Sequence, residues 1–274
     1  MNSNFVELAV VAPPSTPRLA MLGDGITLCQ AKWVLESPAY AEMYRSLSEM
    51  GWHVILDWMH PSPGQTVVTD GFDEFIAAAR LVRPTEIVVP DVFKDSNATL
   101  DSAGRFFSSA WMDLFMLGQG GRELQCMFVP QGTDVETWCR CLQELLVNHL
   151  PLVHTIGVPK WLDADFDGNA GFYSTRRHLL DRIRGVAYPG VQIHMLGVAT
   201  GLSEMFYDPR IRSWDTSLPV AAAQAVNGFE LLEDHPNRKF ELRPYDTVDY
   251  DTAMVNVHAI NRRLDEGTAD EAEA

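Results

Sequence analysis

Short blocks of consecutive apolar residues alternate along the chain with longer segments in which apolar residues recur every three or four positions. Blocks such as Ile87-Val88-Val89 are typical of parallel strands, because such strands are buried on both faces. Segments such as Ala39–Met50, with Ala39, Met43 and Leu47 on one face, are typical of amphipathic helices. The pattern predicts eight strands: Phe5–Val11, Arg18–Gly23, His53–Asp57, Glu86–Val92, Leu124–Gln131, Leu152–Val158, Val191–Val198 and Arg212–Thr216.

Helices are predicted between most of these strands and after the last of them. They cover Ala39–Met50, Phe72–Val82, Asp101–Leu117, Val135–Leu146, Thr175–Arg184 and Tyr250–Leu264. Strands and helices that alternate in this way build a parallel sheet. Eight such units in 274 residues favour a single (β/α)₈ barrel of the TIM type, in the α/β class. The alternative is an open doubly wound sheet, but the glycine-rich nucleotide-binding motifs of such sheets are missing.

Composition and charge limit which kinds of protein this chain can be. The formal net charge is −16, so any nucleic-acid site must be a local basic patch on an acidic protein. Residues 265–274 carry five acids and no base, and we predict that this tail is disordered and follows a single barrel domain over 1–264. Four cysteines are too few for a disulfide scaffold, and no apolar run approaches the ~20 residues that span a bilayer. With no secretory signal at the start of the chain, these features predict a cytoplasmic protein.

Polar residues end several of the apolar blocks. Three of them are aspartates, Asp57, Asp91 and Asp215, and a fourth is Gln131. Because the loops that follow barrel strands converge on one face, we expect these side chains to share one rim. Carboxylates placed together support acid–base chemistry or a covalent glycosyl intermediate. The alternative for each aspartate is an N-cap of the next helix.

The same strand ends carry a resemblance to a known family, in the family's order. The segments are Leu19-Ala20-Met21-Leu22-Gly23-Asp24, His53-Val54-Ile55-Leu56-Asp57, Ile87-Val88-Val89-Pro90-Asp91, Phe128-Val129-Pro130-Gln131-Gly132, His154-Thr155-Ile156-Gly157, His194-Met195-Leu196-Gly197-Val198-Ala199-Thr200 and Arg212-Ser213-Trp214-Asp215-Thr216-Ser217-Leu218-Pro219. Together they resemble the tRNA-guanine transglycosylase superfamily. The Asp-Thr-Ser form at Asp215 is most similar to its phage-type branch, which inserts 7-deazaguanines into DNA.

Two features depart from that family. Asp57 is followed by Trp58-Met59-His60-Pro61 rather than Ser-Gly-Gly-Phe. The family's zinc-binding cysteines after the nucleophile are absent, since no cysteine follows Cys141. Cys139 and Cys141 lie on a predicted helix without further ligands nearby, so we expect no metal site and a barrel that lacks the zinc subdomain. By analogy with the tRNA enzymes, this absence favours a polymer other than tRNA.

The resemblance implies a role for each matching residue. Asp215 is the expected nucleophile and Asp57 the expected general acid–base, while Asp91 and Gln131 are expected to bind the purine edge. Gly157 and Gly197 are expected to supply backbone contacts, and Met195 to pack against the base, although a methionine here is more often a core residue. The implied reaction replaces guanine in DNA with a free 7-deazaguanine such as preQ0, on a flipped or single-stranded nucleotide, without a cofactor.

Basic residues near these segments are candidate phosphate contacts. Arg210 and Arg212 precede the nucleophile strand, and Lys94 follows Asp91 by three residues. The cluster around Arg176 is interpreted as a solvated helix face, and His154 and His194 as core histidines. Two alternatives stay open: an enzyme of the same chemistry that acts on tRNA, and a non-catalytic accessory barrel that binds nucleic acid. A partner protein could supply the basic surface, and the expected location is the host cytoplasm if the chain is phage-encoded.

Overall fold

The computed structural model describes residues 6–58, 72–118, 123–159, 174–186, 190–197, 207–224 and 242–272. Its strands are β1 (Glu7–Val10), β2 (Ile26–Gln30), β3 (His53–Asp57), β4 (Glu86–Val88), β5 (Gln125–Phe128), β6 (Thr155–Val158), β7 (Gln192–Met195) and β8 (Ile211–Thr216). All pair in parallel, in the order β1-β8-β7-β6-β5-β4-β3-β2. This nearly closed barrel, with helices between its strands, confirms the predicted (β/α)₈ architecture.

The apolar blocks locate seven of the eight strands, and β3 has the predicted bounds. The prediction of a strand over Arg18–Gly23 is wrong, because Pro17–Leu22 is a 3₁₀-helix and β2 follows at Ile26–Gln30. Proline suits the first position of a helix, since its φ is fixed near the helical value and it has no N–H to donate. The segment from Leu19 to Asp24, which resembles the family's second-strand motif, therefore lies before β2.

A reciprocal pair of hydrogen bonds joins β1 to the residues just before β2, the two strands at the ends of the strand order. The N–H of Leu8 donates to Oδ2 of Asp24 at 3.0 Å. The N–H of Asp24 donates in turn to the carbonyl oxygen of Leu8 at 2.9 Å. The aspartate side chain thus satisfies a backbone donor at the point where the strands of the barrel meet.

The helices of the described residues are α1 (Ala31–Glu36), α2 (Pro38–Glu49), α3 (Phe72–Val82), α4 (Ser96–Ser109), α5 (Trp111–Gly118), α6 (Val135–His149), α7 (Ser174–Val186), α8 (Leu218–Gln224) and α9 (Tyr250–Ala272). The single helix predicted over Asp101–Leu117 is two helices, which meet at Ala110. Just before this break the hydroxyls of Ser108 and Ser109 both donate to the Arg105 carbonyl, a contact that bends helices. None of the described helices is both long and apolar enough to cross a membrane.

The last helix is longer than predicted. Its backbone continues to Ala272, into the segment for which the sequence predicts disorder. Alanine and glutamate have high helix propensities, so a segment rich in both can extend an existing helix.

A charged cluster occupies the barrel interior near the amino-terminal ends of the strands. Oε2 of Glu86 lies 2.7 Å from Nη2 of Arg212 and 2.8 Å from Nε2 of His53. Glu86 and Arg212 belong to β4 and β8, which lie opposite each other in the strand order, so their side chains meet inside the barrel. Side chains alternate along a strand, and the inward orientation of His53 therefore directs Asp57, four residues later, inward as well.

One irregularity interrupts the pairing of β7 with β8. Ile193 pairs with Ile211, but the next residue, His194, pairs with Ser213. Arg212 is therefore an extra residue in β8, which makes this a β-bulge. Bulges change which side chains point to a given face of the sheet, and they are common beside active sites.

The bulge directs Asp215 into the barrel. Arg212 already faces the interior, where it contacts Glu86. Because the extra residue breaks the alternation, Ser213 faces the same side and lies 2.8 Å from Nδ1 of His194. Asp215, two residues beyond Ser213, shares that inner face.

Candidate active site

The polar residues that the sequence singles out lie at the carboxyl-terminal ends of their strands. Asp57 ends β3, and Asp215 is the last residue but one of β8. Asp91 and Gln131 follow the last residues of β4 and β5 by three positions each. The carboxyl-terminal face is where barrel enzymes carry their active sites. The structure therefore brings all four side chains to one face and points Asp57 and Asp215 into the interior.

Asp215 is held by two donors that come from β7 and the turn after it. Its Oδ1 accepts from Nε2 of His194 and from the N–H of Gly197, each at 3.1 Å. The side chain is 10% exposed. Both contacts end on Oδ1, so within the described part of the chain Oδ2 accepts no hydrogen bond. A carboxylate fixed through one oxygen can present the other to a substrate.

His194 links Asp215 to Ser213 in the interior of the barrel. A carboxylate only accepts hydrogen bonds, so Nε2 carries the hydrogen in the contact with Asp215. A neutral ring then accepts at Nδ1 from the Ser213 hydroxyl, 2.8 Å away. The expectation of a core histidine is confirmed for His194, which is fully buried, but it is wrong for His154, whose side chain is 27% exposed. The contact of His194 with Asp215 was not predicted, because it depends on the register of β7 against β8.

The neighbour of Asp215 on the adjacent strand is a small residue. In the pairing of β1 with β8, Ala9 stands next to Asp215. Adjacent residues of parallel strands point to the same face, so the methyl group of Ala9 is the neighbouring side chain there.

Asp57 has a different environment from Asp215. It is half-buried, and its Oδ1 accepts the N–H of Trp58 at 2.7 Å. The Trp58 ring stacks on Phe75 of α3 with a centroid distance of 4.5 Å, and this packing holds the chain just after the carboxylate. Gln30 pairs with Asp57, and its Oε1 is buried without a hydrogen-bond partner among the described residues. No motif in the sequence singles out Gln30, whose unpaired oxygen can accept a hydrogen bond from a ligand.

Asp91 and Gln131 form a pair above the ends of β4 and β5. Nε2 of Gln131 donates to Oδ2 of Asp91, and Oε1 of Gln131 accepts the N–H of Lys94 at 3.1 Å. Gln131 is fully buried. Lys94 has a φ of 59°, an unusual value for a non-glycine residue, and the bond to Gln131 helps to hold it. The amide thus fixes both Asp91 and the loop that carries Lys94.

The alternative that these aspartates are helix caps fails for two of them. Helix α4 is capped by Asp95, whose Oδ1 accepts the N–H of Ala98 at 2.9 Å, so Asp91 is not its cap. At α8 the N–H of Leu218 donates to the hydroxyl of Thr216, while Asp215 binds residues of β7 and its turn.

The remaining predicted ligand-binding residues take two different positions. Gly157 pairs with His194 on the inner face, and a Cβ there would lie 2.8 Å from a methyl group of Val129. Glycine at this position therefore permits close packing under the site. Met195 is fully buried and, as the neighbour of His194 in β7, points to the opposite face, toward the helices. Its side chain thus belongs to the core.

Arg210 immediately precedes β8, and Arg212 is its second residue, three positions before Asp215. The guanidinium of Arg210 contacts Asp208 at 2.9 Å, and that of Arg212 contacts Glu86 inside the barrel. Both arginines thus have acidic partners of their own, at the end of β8 opposite to Asp215. We therefore do not carry them forward as phosphate contacts. Lys94 remains on the correct face, with its ammonium 5.4 Å from the ring centroid of Phe93, which is 45% exposed.

The expectation of a solvated helix face is wrong for Arg176. This residue of α7 is 2% exposed, and its Nη2 donates to the carbonyl oxygen of Leu196 at 2.8 Å. Arg182 of the same helix is exposed, as expected. No charge pattern in the sequence distinguishes the two arginines, since the difference arises from how α7 packs on the turn after β7.

Among the described residues, no group of three or more His, Cys, Asp or Glu side chains is placed to hold a metal ion. The helix position predicted for Cys139 and Cys141 is confirmed, since both lie on α6.

No protein-family model matches the chain, and no curated protein matches its sequence. The function is therefore argued from the residues and their geometry.

Proposed function

We propose that this protein is a base-exchange transglycosylase that replaces guanine in DNA with a 7-deazaguanine, such as preQ0 or a related base. The observation that carries the proposal is the Asp215 carboxylate. It lies at the carboxyl-terminal end of a barrel strand, it is held through Oδ1 by His194 and Gly197, and it leaves Oδ2 without a hydrogen bond within the described residues. A carboxylate held in this way can act as a covalent nucleophile through its second oxygen.

In the first step Oδ2 of Asp215 attacks C1′ of the target nucleotide. The bond from C1′ to N9 of guanine breaks as the new C1′–O bond forms, and Asp57 gives a proton to the departing base. The products are a glycosyl ester of Asp215, neutral guanine and an ionised Asp57. The burial of the two carboxylates fits these roles: Asp57 is more exposed than Asp215, so Asp57 can exchange protons with solvent.

In the second step the incoming 7-deazaguanine loses its N9 proton to Asp57. Its N9 attacks C1′, the ester bond to Asp215 breaks, and the free carboxylate is restored. Each step inverts C1′, so two steps return the sugar to its original configuration. Asp57 ends the cycle protonated, as it began.

The proposed base-binding residues are Asp91 and Gln131. A carboxylate accepts hydrogen bonds from the N1–H and the exocyclic amino group of guanine, which a 7-deazaguanine also carries. The amide of Gln131 holds the Asp91 carboxylate in place and is itself fully buried. Lys94 on the same loop is the proposed phosphate contact, which gives this acidic chain one local cation beside the site.

An exchange assay with labelled guanine tests the proposal. The protein is incubated with labelled guanine and with single-stranded DNA, duplex DNA or tRNA, and the label in each polymer is counted. We expect label in DNA, with more in the single strand because no base pair has to open. Label in tRNA alone would support the tRNA alternative, and label in no polymer would favour an accessory role. Mass analysis of nucleosides from DNA treated with candidate 7-deazaguanines then identifies the inserted base.

Changing Asp91→Asn should weaken base binding. The substitution replaces a carboxylate oxygen with an amino group, which faces the donors of the purine and leaves one of them unpaired. An unpaired buried donor costs about 1–3 kcal/mol, which corresponds to roughly a 5- to 150-fold rise in Kd. Calorimetric titration with free guanine measures it. The matched control is Asp95→Asn, because Asp95 caps α4 on the same loop and asparagine caps helices equally well. Equal affinity of the two variants would exclude base recognition by Asp91.

A further inference from the structure

The second donor to Asp215 belongs to a peptide group that is bound at both ends. The N–H of Gly197 donates to Oδ1 of Asp215 at 3.1 Å. The carbonyl of the same peptide group, that of Leu196, accepts from Nη2 of Arg176 at 2.8 Å. A guanidinium, one peptide group and the carboxylate therefore form a continuous chain of hydrogen bonds from α7 to the end of β8.

Both ends of this chain are shielded from water. Arg176 is 2% exposed and the Asp215 side chain 10%. Hydrogen bonds in series polarise one another, and the effect is larger where the local dielectric constant is low. A cation on the Leu196 carbonyl draws electron density toward the oxygen, and the Gly197 N–H becomes a stronger donor.

The turn after β7 provides the geometry that the chain requires. Gly197 has a φ of 63°, in the left-handed region that glycine adopts without strain. In this conformation its N–H points back to Asp215 while the Leu196 carbonyl points to α7. The family resemblance assigns a role to Gly197, but nothing assigns one to Arg176.

We infer that Arg176 is a positioning residue for Asp215. Its guanidinium acts through the peptide group between Leu196 and Gly197 and fixes the orientation of the carboxylate, so that Oδ2 faces the substrate. The catalytic part of this inference rests on the proposed function, whereas the coupling of Arg176 to Asp215 does not. The competing explanation is that Arg176 only anchors α7 to the barrel.

Nuclear magnetic resonance measures the coupling without any assay of activity. The sequence contains three Leu–Gly peptide bonds, at positions 22–23, 117–118 and 196–197. Protein labelled with ¹³C-carbonyl leucine and ¹⁵N glycine therefore gives only a small set of carbonyl–amide cross-peaks. A Leu196→Met variant loses the peak of interest and so assigns it, and the other two peaks are internal references.

In Arg176→Met we expect two changes in this cross-peak. The Leu196 carbonyl carbon shifts upfield because it loses its donor, and the Gly197 amide proton also shifts upfield because it donates more weakly to Asp215. Arg176→Lys keeps a cation and should give smaller shifts. Arg182→Met is the matched control, since Arg182 is an exposed residue of the same helix, and it should give none. A carbonyl shift without an amide shift would show an anchor and overturn the inference.

A reciprocal variant keeps the test decisive if Arg176→Met does not fold. Asp215→Asn removes the charge that accepts from Gly197 while Arg176 stays in place. If the peptide group transmits the interaction, the Leu196 carbonyl must also shift in this variant. An unchanged carbonyl overturns the inference on its own.

The kinetic test separates positioning from substrate binding. We expect Arg176→Met to lower kcat about tenfold with KM unchanged, because misorientation of the nucleophile affects the transition state more than binding. Arg176→Lys should recover part of the loss, and Arg182→Met should match the wild type. A rise in KM at constant kcat would contradict positioning. If the wild type exchanges no base, the proposed function fails, and the resonance shifts still decide whether Arg176 is coupled to Asp215.

Discussion

We expect Asp215→Asn to abolish the proposed base exchange, with a loss in kcat of at least about 10⁴-fold, as for other covalent nucleophiles. Asparagine has nearly the same size as aspartate, and its carbonyl oxygen can still accept from His194 and Gly197. What it lacks is the ionised Oδ2, the atom proposed to attack C1′. The fold is therefore preserved while the reaction stops. Transfer of labelled guanine into single-stranded DNA measures the rate, and circular dichroism verifies the fold.

A covalent adduct identifies the nucleophile directly. With DNA but no incoming base, the wild type should form a protein–DNA ester that survives denaturation, and peptide mass spectrometry should place it on Asp215. The control is Asp95→Asn, because Asp95 lies at the same face of the barrel but caps α4. This control should retain both exchange and adduct. If Asp215→Asn still exchanges bases, or if the adduct maps to Asp57, then Asp215 is not the nucleophile.

The parts of the site that could be predicted from sequence are those set by local pattern. Polar residues that end apolar blocks, such as Asp57 and Asp215, fall at strand ends because burial determines where a strand begins and ends. The bounds of β3 and α3 agree with the prediction for the same reason. Once eight strands form a barrel, strand ends share one face.

The parts that could not be predicted depend on register and on packing between distant segments. Nothing in Ile211-Arg212-Ser213 marks Arg212 as the bulged residue, although the bulge decides that Asp215 faces inward. Strand alternation likewise turns Met195 to the face opposite that of His194, and the sequence alone does not say which of the two faces is the inner one. The burial of Arg176 depends on the contact of α7 with the turn after β7.

The two ends of the barrel interior use charge differently. At the amino-terminal end Oε2 of Glu86 is paired with His53 and with the guanidinium of Arg212, while at the carboxyl-terminal end Oδ1 of Asp215 is held by His194 and a backbone N–H. A buried carboxylate paired with a guanidinium at one end, and a carboxylate held by a histidine and a backbone N–H at the other, fit a division between stability and chemistry. Arg212 connects the ends, because the bulge that lets it reach Glu86 also turns Asp215 inward.

The Glu86 cluster makes stability depend on pH in a defined direction. Complete burial opposes ionisation of Glu86 more than any other single influence, but the hydrogen bond from His53 and the positive charge of Arg212 outweigh it. Together they lower the pKa of Glu86 from 4.5 to about 2. A pKa that is lower in the folded state stabilises the fold above the unfolded value, and this contribution is lost as the pH falls through 4.5 toward 2.

We therefore expect Glu86→Gln to lower the free energy of unfolding by about 3 kcal/mol at pH 7, because Arg212 then remains in the barrel without its counter-charge. The difference between wild type and variant should narrow steadily as the pH falls from about 4.5 toward 2, since over that range Glu86 gains its proton in the unfolded wild-type chain but stays ionised in the folded protein. Urea unfolding at a series of pH values measures both. Glu49→Gln is the control, because its ion pair with Arg45 is exposed and should contribute less than about 1 kcal/mol. A difference that stays constant with pH would show that Glu86 stabilises the barrel through its shape rather than through its charge.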